Sequence, residues 1–202
     1  FFRRLMFALT TPFILASNSP RRIDLLKSLG IAFTPIMSHF EELNIDDLDS
    51  HVMENARGKV ECVRTQFQQG IVLGVDTAVF FQGRILGKPR DQDEAIQTFL
   101  NLLGSIHTVA SGIFLYDVES GNHLQGVEKT DVEFYAWTKE EAQAYLQHVP
   151  VLDKAGSYGI QDWGSMLVKK IIGDYYNVLG MPMGLIYQCL KKMGKIRLCT
   201  SS

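Results

Sequence analysis

Two runs of the chain are apolar almost without a break. Phe13-Ile14-Leu15-Ala16 and Ile71-Val72-Leu73-Gly74-Val75 lack the alternation of a half-exposed strand and predict strands buried on both faces. Elsewhere apolar residues recur every three or four positions. Ile23, Leu25, Leu26 and Leu29 predict a helix that Ser19 caps, that has Pro20 in its first turn and that Gly30 closes. Val52, Ala56, Val60, Val63 and Phe67 mark one face of a helix over 51–67. Asp91 to Glu94 and Thr138 to Glu141 have capping-box spacing and open two more helices. A last helix follows Gly180-Met181-Pro182, with Leu185, Ile186, Leu190 and Met193 inward. Further strands are expected over 32–37, 106–118, 126–137 and 166–172, with a tight turn at Gln82-Gly83. The polar stretches 153–161 and 173–177 read as loops.

Residues 1–12 are read as an N-terminal extension or vector-derived remnant, because Thr10-Thr11-Pro12 interrupts the apolar run before the first strand. Residues 13–202 then form a single domain without repeats or linkers. Composition changes this picture little: 202 residues, 46% apolar, 21% charged. A net charge of −2 speaks against bulk nucleic-acid binding, so any anion chemistry must come from a local cluster. No stretch reaches the length of a membrane span. The three cysteines, Cys62, Cys189 and Cys199, are odd in number and lack metal spacing, as expected in a reducing compartment such as the cytoplasm.

Chemistry is concentrated at a few places. Ser17-Asn18-Ser19-Pro20-Arg21-Arg22 puts a serine-rich turn and two arginines at a helix N-terminus. Positive charge is locally unfavourable there unless an anion arrives. The segment is either a phosphate site or a capped surface helix with two solvated arginines. On the phosphate-site reading, removing Arg22 is expected to cost the empty protein little stability, or even to stabilise it. Asp76 ends the buried strand 71–75 yet is followed by more apolar residues, so its charge requires a metal, lysine or arginine. Taken alone, Lys59 reads as a surface lysine laid along its helix, Glu41-Glu42 as solvated loop acids, and His107 as structural. Lys88 sits in a constrained Gly-Lys-Pro loop.

In order along 14–193, Ser17 to Arg22, Gly74-Val75-Asp76-Thr77, Gly87-Lys88-Pro89, Gly104 with His107, Lys154-Ala155-Gly156 with Tyr158 to Gln161, and Gly173-Asp174 with Gly180-Met181-Pro182 resemble the Maf family of nucleoside triphosphate pyrophosphatases. The resemblance implies a two-lobed α/β fold, similar to inosine triphosphatases, with a central mixed β-sheet and an interlobe cleft. It implies hydrolysis of a nucleoside triphosphate to monophosphate and pyrophosphate with Mg²⁺ or Mn²⁺, in a cytoplasmic homodimer. Asp76 matches the general base. Ser17, Ser19, Arg22, Lys59 and Lys88 match phosphate-binding positions, and Glu42 with Asp76 the metal carboxylates. Arg21, Thr77 and Gln161 match specificity positions, in the form of the dTTP and UTP branch. Asp162-Trp163 departs from the family, which usually has a small, often glycine-containing segment there. A nucleotide-binding regulatory module acting in cell division is the competing reading; it has no use for a carboxylate beside a triphosphate. A dinucleotide oxidoreductase is excluded by the lack of glycine in 17–22.

Overall fold

The computed structural model describes residues 7–199. In chain order the elements are β1 (Phe7–Leu9), β2 (Phe13–Leu15), α1 (Pro20–Ser28), β3 (Thr34–Pro35), α2 (Leu48–Val63), β4 (Ile71–Phe81), β5 (Arg84–Leu86) and α3 (Gln92–Leu102). There follow β6 (Ile106–Asp117), β7 (His123–Phe134), α4 (Lys139–His148), β8 (Val168–Ile172), α5 (Tyr175–Val178), α6 (Met183–Lys192) and β9 (Ile196–Leu198). Seven strands make one mixed sheet in the order β3-β2-β4-β6-β7-β8, with β5 added beside the far end of β4. β2 runs parallel to β3 and β4, and the remaining pairings are antiparallel.

The sheet is buried on both sides, and β4 shows why its sequence is so evenly apolar. Its even-numbered residues Val72 and Ala78 pack with Val52, Ala56 and Val60 of α2. Its odd-numbered residues face a second layer divided in two. Ile71, Leu73 and Val75 pack with Leu26 of α1 and Ile186 and Leu190 of α6. Val79 packs with Phe99 of α3 and Tyr145 and Leu146 of α4. The two helix groups define the lobes.

Local chemistry explains the helix ends. Gly30 (φ 73°) closes α1, with Gly30 N–H donating to Lys27 C=O and Ile31 N–H to Leu26 C=O, the paired bonds of a left-handed C-terminal cap. Thr138 and Glu141 form a complete capping box at α4, and Asp91 caps α3 through Glu94 N–H. Ser19 occupies the N-cap position of α1 but its side chain makes no capping bond. The strand expected over 32–37 is reduced to Thr34–Pro35, and the expected loop 173–177 contains α5, capped by Asp174. Within the stretch read as an extension, Phe7–Leu9 pairs antiparallel with Ile196–Leu198 in a separate two-stranded ribbon. Residues 1–6 of that stretch lie outside the described residues.

Candidate active site

β2 pairs with residues 71–73 of β4, and β5 pairs with residues 79–81 of the same edge. Between them this edge of β4 has no strand partner, and a cleft of about 720 Å³ opens there. All ten residues singled out from the sequence line it: Ser17, Ser19, Arg21, Arg22, Glu42, Lys59, Asp76, Thr77, Lys88 and Gln161. They fall into three groups.

The first group is an acid pair joined by a lysine. Asp76, 5% exposed, sits in the unpaired part of β4 and faces α2. Lys59 Nζ donates to Asp76 Oδ1 at 2.5 Å and to Glu42 Oε1 at 2.9 Å. Lys59 is 8% exposed, so it is no surface lysine; a buried cation held by two carboxylates is the partner that Asp76 required. Lys88 Nζ, at the rim, lies 3.7 Å from the same Glu42 oxygen. Partial burial would raise the Glu42 pKa, but Lys59 by charge and hydrogen bond, then Lys88 and Arg22, hold it below the ordinary carboxylate value.

The position of Lys59 follows from how closely α2 lies on the sheet. A Cβ on Gly74 would fall 2.1 Å from Ala56 C=O, and one on Gly112 would fall 2.4 Å from Val52 C=O. Gly112 is the cross-strand partner of Asp76. Two glycines thus let the backbone of α2 descend on both sides of the acid. Glu42 is delivered to the same point by Asn55, fully buried on α2. Its amide accepts from Leu43 N–H at 2.7 Å and donates to Leu43 C=O at 3.1 Å, as a neighbouring strand would. The Phe40 ring packs over Gly58, where a Cβ would lie 2.2 Å away. Asn55 was not among the expected site residues. The signal was present: Val52, Asn55, Ala56, Lys59, Val60 and Val63 are the buried stripe of α2, and two of the six are polar.

The second group centres on Arg22, and here the structure departs from the solvated-arginine reading and from the expectation of little structural cost. Arg22 Nε donates to Gly180 C=O (2.8 Å), Nη1 to Val75 C=O (2.9 Å) and Ser17 Oγ (3.3 Å), and Nη2 to Thr77 Oγ1 (3.1 Å). Of the five guanidinium N–H groups, one on Nη2 is left for a ligand. Thr77 Oγ1 is also 2.9 Å from Ser111 Oγ, and Ser111 Oγ reaches Asn177 C=O at 3.4 Å. These groups form a polar seam between the two apolar cores and fasten α1 to β4 and to the α5–α6 connection. Desolvation draws the Arg22 pKa down to about 10, Asp76 opposing that shift. Arg22 is therefore a structural pin as well as a cleft cation. We expect Arg22→Ala to lower the unfolding free energy of the ligand-free protein by about 2–3 kcal/mol, because two backbone carbonyls lose their donor. Arg22→Lys should recover little, since an ammonium cannot span the fork. Denaturant titration checks this; an unchanged midpoint in Arg22→Ala would remove the structural role and leave Arg22 as a cleft cation alone.

The third group is the loop 153–162. Arg21 Nη1 bonds Asp153 Oδ2 at 3.2 Å, across the cleft mouth. Among the described residues no hydrogen bond joins Arg21 to Gln161. The loop holds three residues with positive φ, Gly156, Ser157 and Asp162. At Ser157 and Asp162, which carry side chains, that backbone is strained and persists only where the surroundings over-determine it. Tyr158 Oη is 2.8 Å from His107 Nε2, and Tyr145 Oη receives Gly159 N–H at 3.2 Å. The rings of His107, Phe134 and Tyr158 pack edge to face at 4.7–5.2 Å. Gly164 lies so close to Gly159 C=O that a Cβ would stand 1.6 Å from it.

His107 anchors this loop at a pH-dependent cost. Desolvation lowers its pKa from 6.5 to about 4. Between those values the unfolded chain binds a proton that the folded one does not. Stability is therefore full above about pH 6.5 and declines as pH falls through 6.5 toward 4, by up to ~3 kcal/mol. Urea titrations at pH 7.5 and 4.5 should show this slope, and His107→Gln should flatten it. An equal slope in the variant would assign the acid sensitivity elsewhere.

A lysine-bridged acid pair, the further cations Arg21, Arg22 and Lys88, and a serine turn at the open edge of a mixed α/β sheet define a site for a polyanion handled with carboxylate chemistry. Comparison with known proteins agrees with that class: residues 12–193 match the Maf-like protein family, and the chain belongs to it. It is 40% identical over 185 residues to a dTTP/UTP pyrophosphatase of Clostridium novyi (strain NT), covering 90% of this chain and 97% of the relative. It is 41% identical over 185 residues to a protein of the same description from Halalkalibacterium halodurans, covering 91% and 96%. A third, from Dictyoglomus thermophilum, is 38% identical over 184 residues, covering 90% and 95%.

Proposed function

We propose that the protein hydrolyses nucleoside triphosphates, dTTP and UTP in preference, to the monophosphate and pyrophosphate. The observation that carries the reading is the Asp76–Lys59–Glu42 cluster in the cation-lined cleft. Relatives of about 40% identity over nearly the whole chain, described as dTTP/UTP pyrophosphatases, support the reaction and the bases. A regulatory module that only binds nucleotide gains nothing from two carboxylates facing a triphosphate.

In this mechanism Asp76 takes the proton of the attacking water as the α–β anhydride bond breaks and pyrophosphate leaves. Lys59, Lys88 and the free N–H of Arg22 meet phosphate oxygens, and Ser17 and Ser19 shape the turn around them. Ser17 and Thr77 act partly through Arg22, whose fork they receive. Gln161 and Arg21 address the base: a glutamine amide matches the carbonyl and N3–H of thymine or uracil, and arginine, a donor only, favours the carbonyl. Asp153, bonded to Arg21, belongs to the same wall.

The donor set also fits a divalent cation. The described residues contain no group of three or more His, Cys, Asp or Glu able to enclose one. Two carboxylates suit Mg²⁺ or Mn²⁺, which take one or two protein ligands and complete their shell with substrate phosphates and water. Glu42 and Asp76 would hold the ion, which would neutralise phosphate charge and polarise the anhydride. The three free cysteines support a cytoplasmic setting, and the family resemblance supports a homodimer. No helix among the described residues is long and apolar enough to cross a membrane.

The test is pyrophosphate release from a panel of nucleoside triphosphates with Mg²⁺ or Mn²⁺. Pyrophosphate and monophosphate should form, fastest from dTTP and UTP. Orthophosphate with a diphosphate would overturn the cleavage position. CTP or 7-methyl-GTP as the best substrate would overturn the base assignment alone.

A further inference from the structure

Trp163 stands on the cleft with most of its ring in solvent, 60% exposed. It lies two residues beyond Gln161, on the same wall of the cleft. Among the described residues its indole makes no hydrogen bond and no ring contact, unlike Trp137, which packs edge-on against Tyr145 at 5.9 Å. An indole left in water at the mouth of a ligand cleft is a large apolar face without a protein partner.

The turn that carries Trp163 is held on every side. Asp162, before it, has φ 53°, in the left-handed region. Gly164, after it, is pressed against Gly159 C=O and admits no side chain. Ser165 Oγ donates to Asp162 C=O at 2.6 Å, and Leu167 N–H to Gly164 C=O at 3.1 Å, closing the single turn Asp162–Met166. These contacts fix the backbone that carries Trp163, so the side chain leaves the chain at a set place on the cleft wall.

We propose that Trp163 is the stacking platform for the nucleobase, lying against its π-face while Gln161 reads its edge. This deepens the nucleotide reading above and rests on it. The occupant is a planar heteroaromatic ring carried on a polyphosphate. Aromatic stacking is tolerant of base identity, because every base has a π-face. Trp163 therefore adds affinity for all nucleotides, and base choice stays with hydrogen-bonding groups. Its contribution is the same in the ground and transition states, so it enters KM and not kcat.

Two measurements separate this role from a structural one. In steady-state kinetics, Trp163→Ala should raise KM by about tenfold for dTTP, UTP and CTP alike, with kcat within about twofold, and Trp163→Phe should recover most of the loss. In Trp137→Phe protein, Trp163 is the only tryptophan. Its fluorescence should be quenched by dTTP and by dTMP, and left unchanged by inorganic tripolyphosphate, which has charge but no base. An unchanged KM in Trp163→Ala, or equal quenching by tripolyphosphate, would overturn the platform. A KM increase confined to one base would also overturn it, since it would make Trp163 an edge reader. If the unmodified protein releases no pyrophosphate, the reaction is wrong, and the quenching comparison still decides whether a base meets Trp163.

Discussion

Replacing Asp76 by asparagine should lower kcat for pyrophosphate release by at least ~10²-fold, while the protein still folds. Asparagine keeps the volume of the side chain in a strand where Val75 and Ala78 are fully or almost fully buried, so packing survives. Among the described residues that line the cleft, it removes the one carboxylate that is both buried and on a strand; Glu42 is half exposed and on a loop. The variant also leaves the Lys59 ammonium with a single acid partner. Breaking a buried pair outright costs about 3–5 kcal/mol. Glu42 remains at 2.9 Å, so the expected loss of stability is smaller, about 1–2 kcal/mol. Turnover and a thermal melt, measured on the same preparation, check both halves. Near-normal kcat with a depressed melting temperature would reduce Asp76 to a structural counter-ion for Lys59.

Asp76 could be found from the sequence because burial of a charge is visible as a polar residue inside an apolar strand. The sheet strands and helices were legible for a similar reason, since each shows its period over many residues. Arg22 was not legible in its actual role. Its partners are carbonyl groups of residues 53 and 158 positions away, and a backbone acceptor leaves no trace in residue type. The apolar pattern at 32–37 promised a strand, yet a ladder needs a neighbour. β2, its partner in the sheet, ends at Leu15, where the chain turns away to form the cleft. The stretch 173–177 reads as loop by composition. One helical turn forms there because Asp174 caps it and because buried Asn177 donates to Val109 C=O and Thr130 Oγ1, both at 3.0 Å. Arg22 and the turn at 173–177 depend on long-range polar contacts and 32–37 on where its neighbour ends, none of which local residue type displays.

The largest effect on stability is expected from a single methyl group under α2. In Gly112→Ala the new Cβ would lie 2.4 Å from Val52 C=O, 2.5 Å from the Val52 carbonyl carbon and 2.8 Å from Met53 N. In Gly74→Ala it would lie 2.1 Å from Ala56 C=O. Every one of these obstacles is helix backbone, which cannot rotate aside, so α2 must lift from the sheet or the strand must shift. Overpacking of a tight core costs typically ~1–3 kcal/mol and occasionally more, and a clash with backbone belongs at or above the upper end. Gly184→Ala is the control. That glycine is exposed in α6 with nothing within 4 Å of its Cβ, and alanine there should stabilise by up to ~1 kcal/mol. The displacement also reaches the chemistry. Lys59 and Asn55 ride on α2, so lifting it draws the ammonium from Asp76 and releases the loop that carries Glu42. Gly112→Ala should therefore lose more activity than its unfolded fraction explains, at a temperature where it is still mostly folded. A variant with unchanged stability, or one whose activity tracks the folded fraction alone, would mean that the acid pair does not depend on the height of α2 above the sheet.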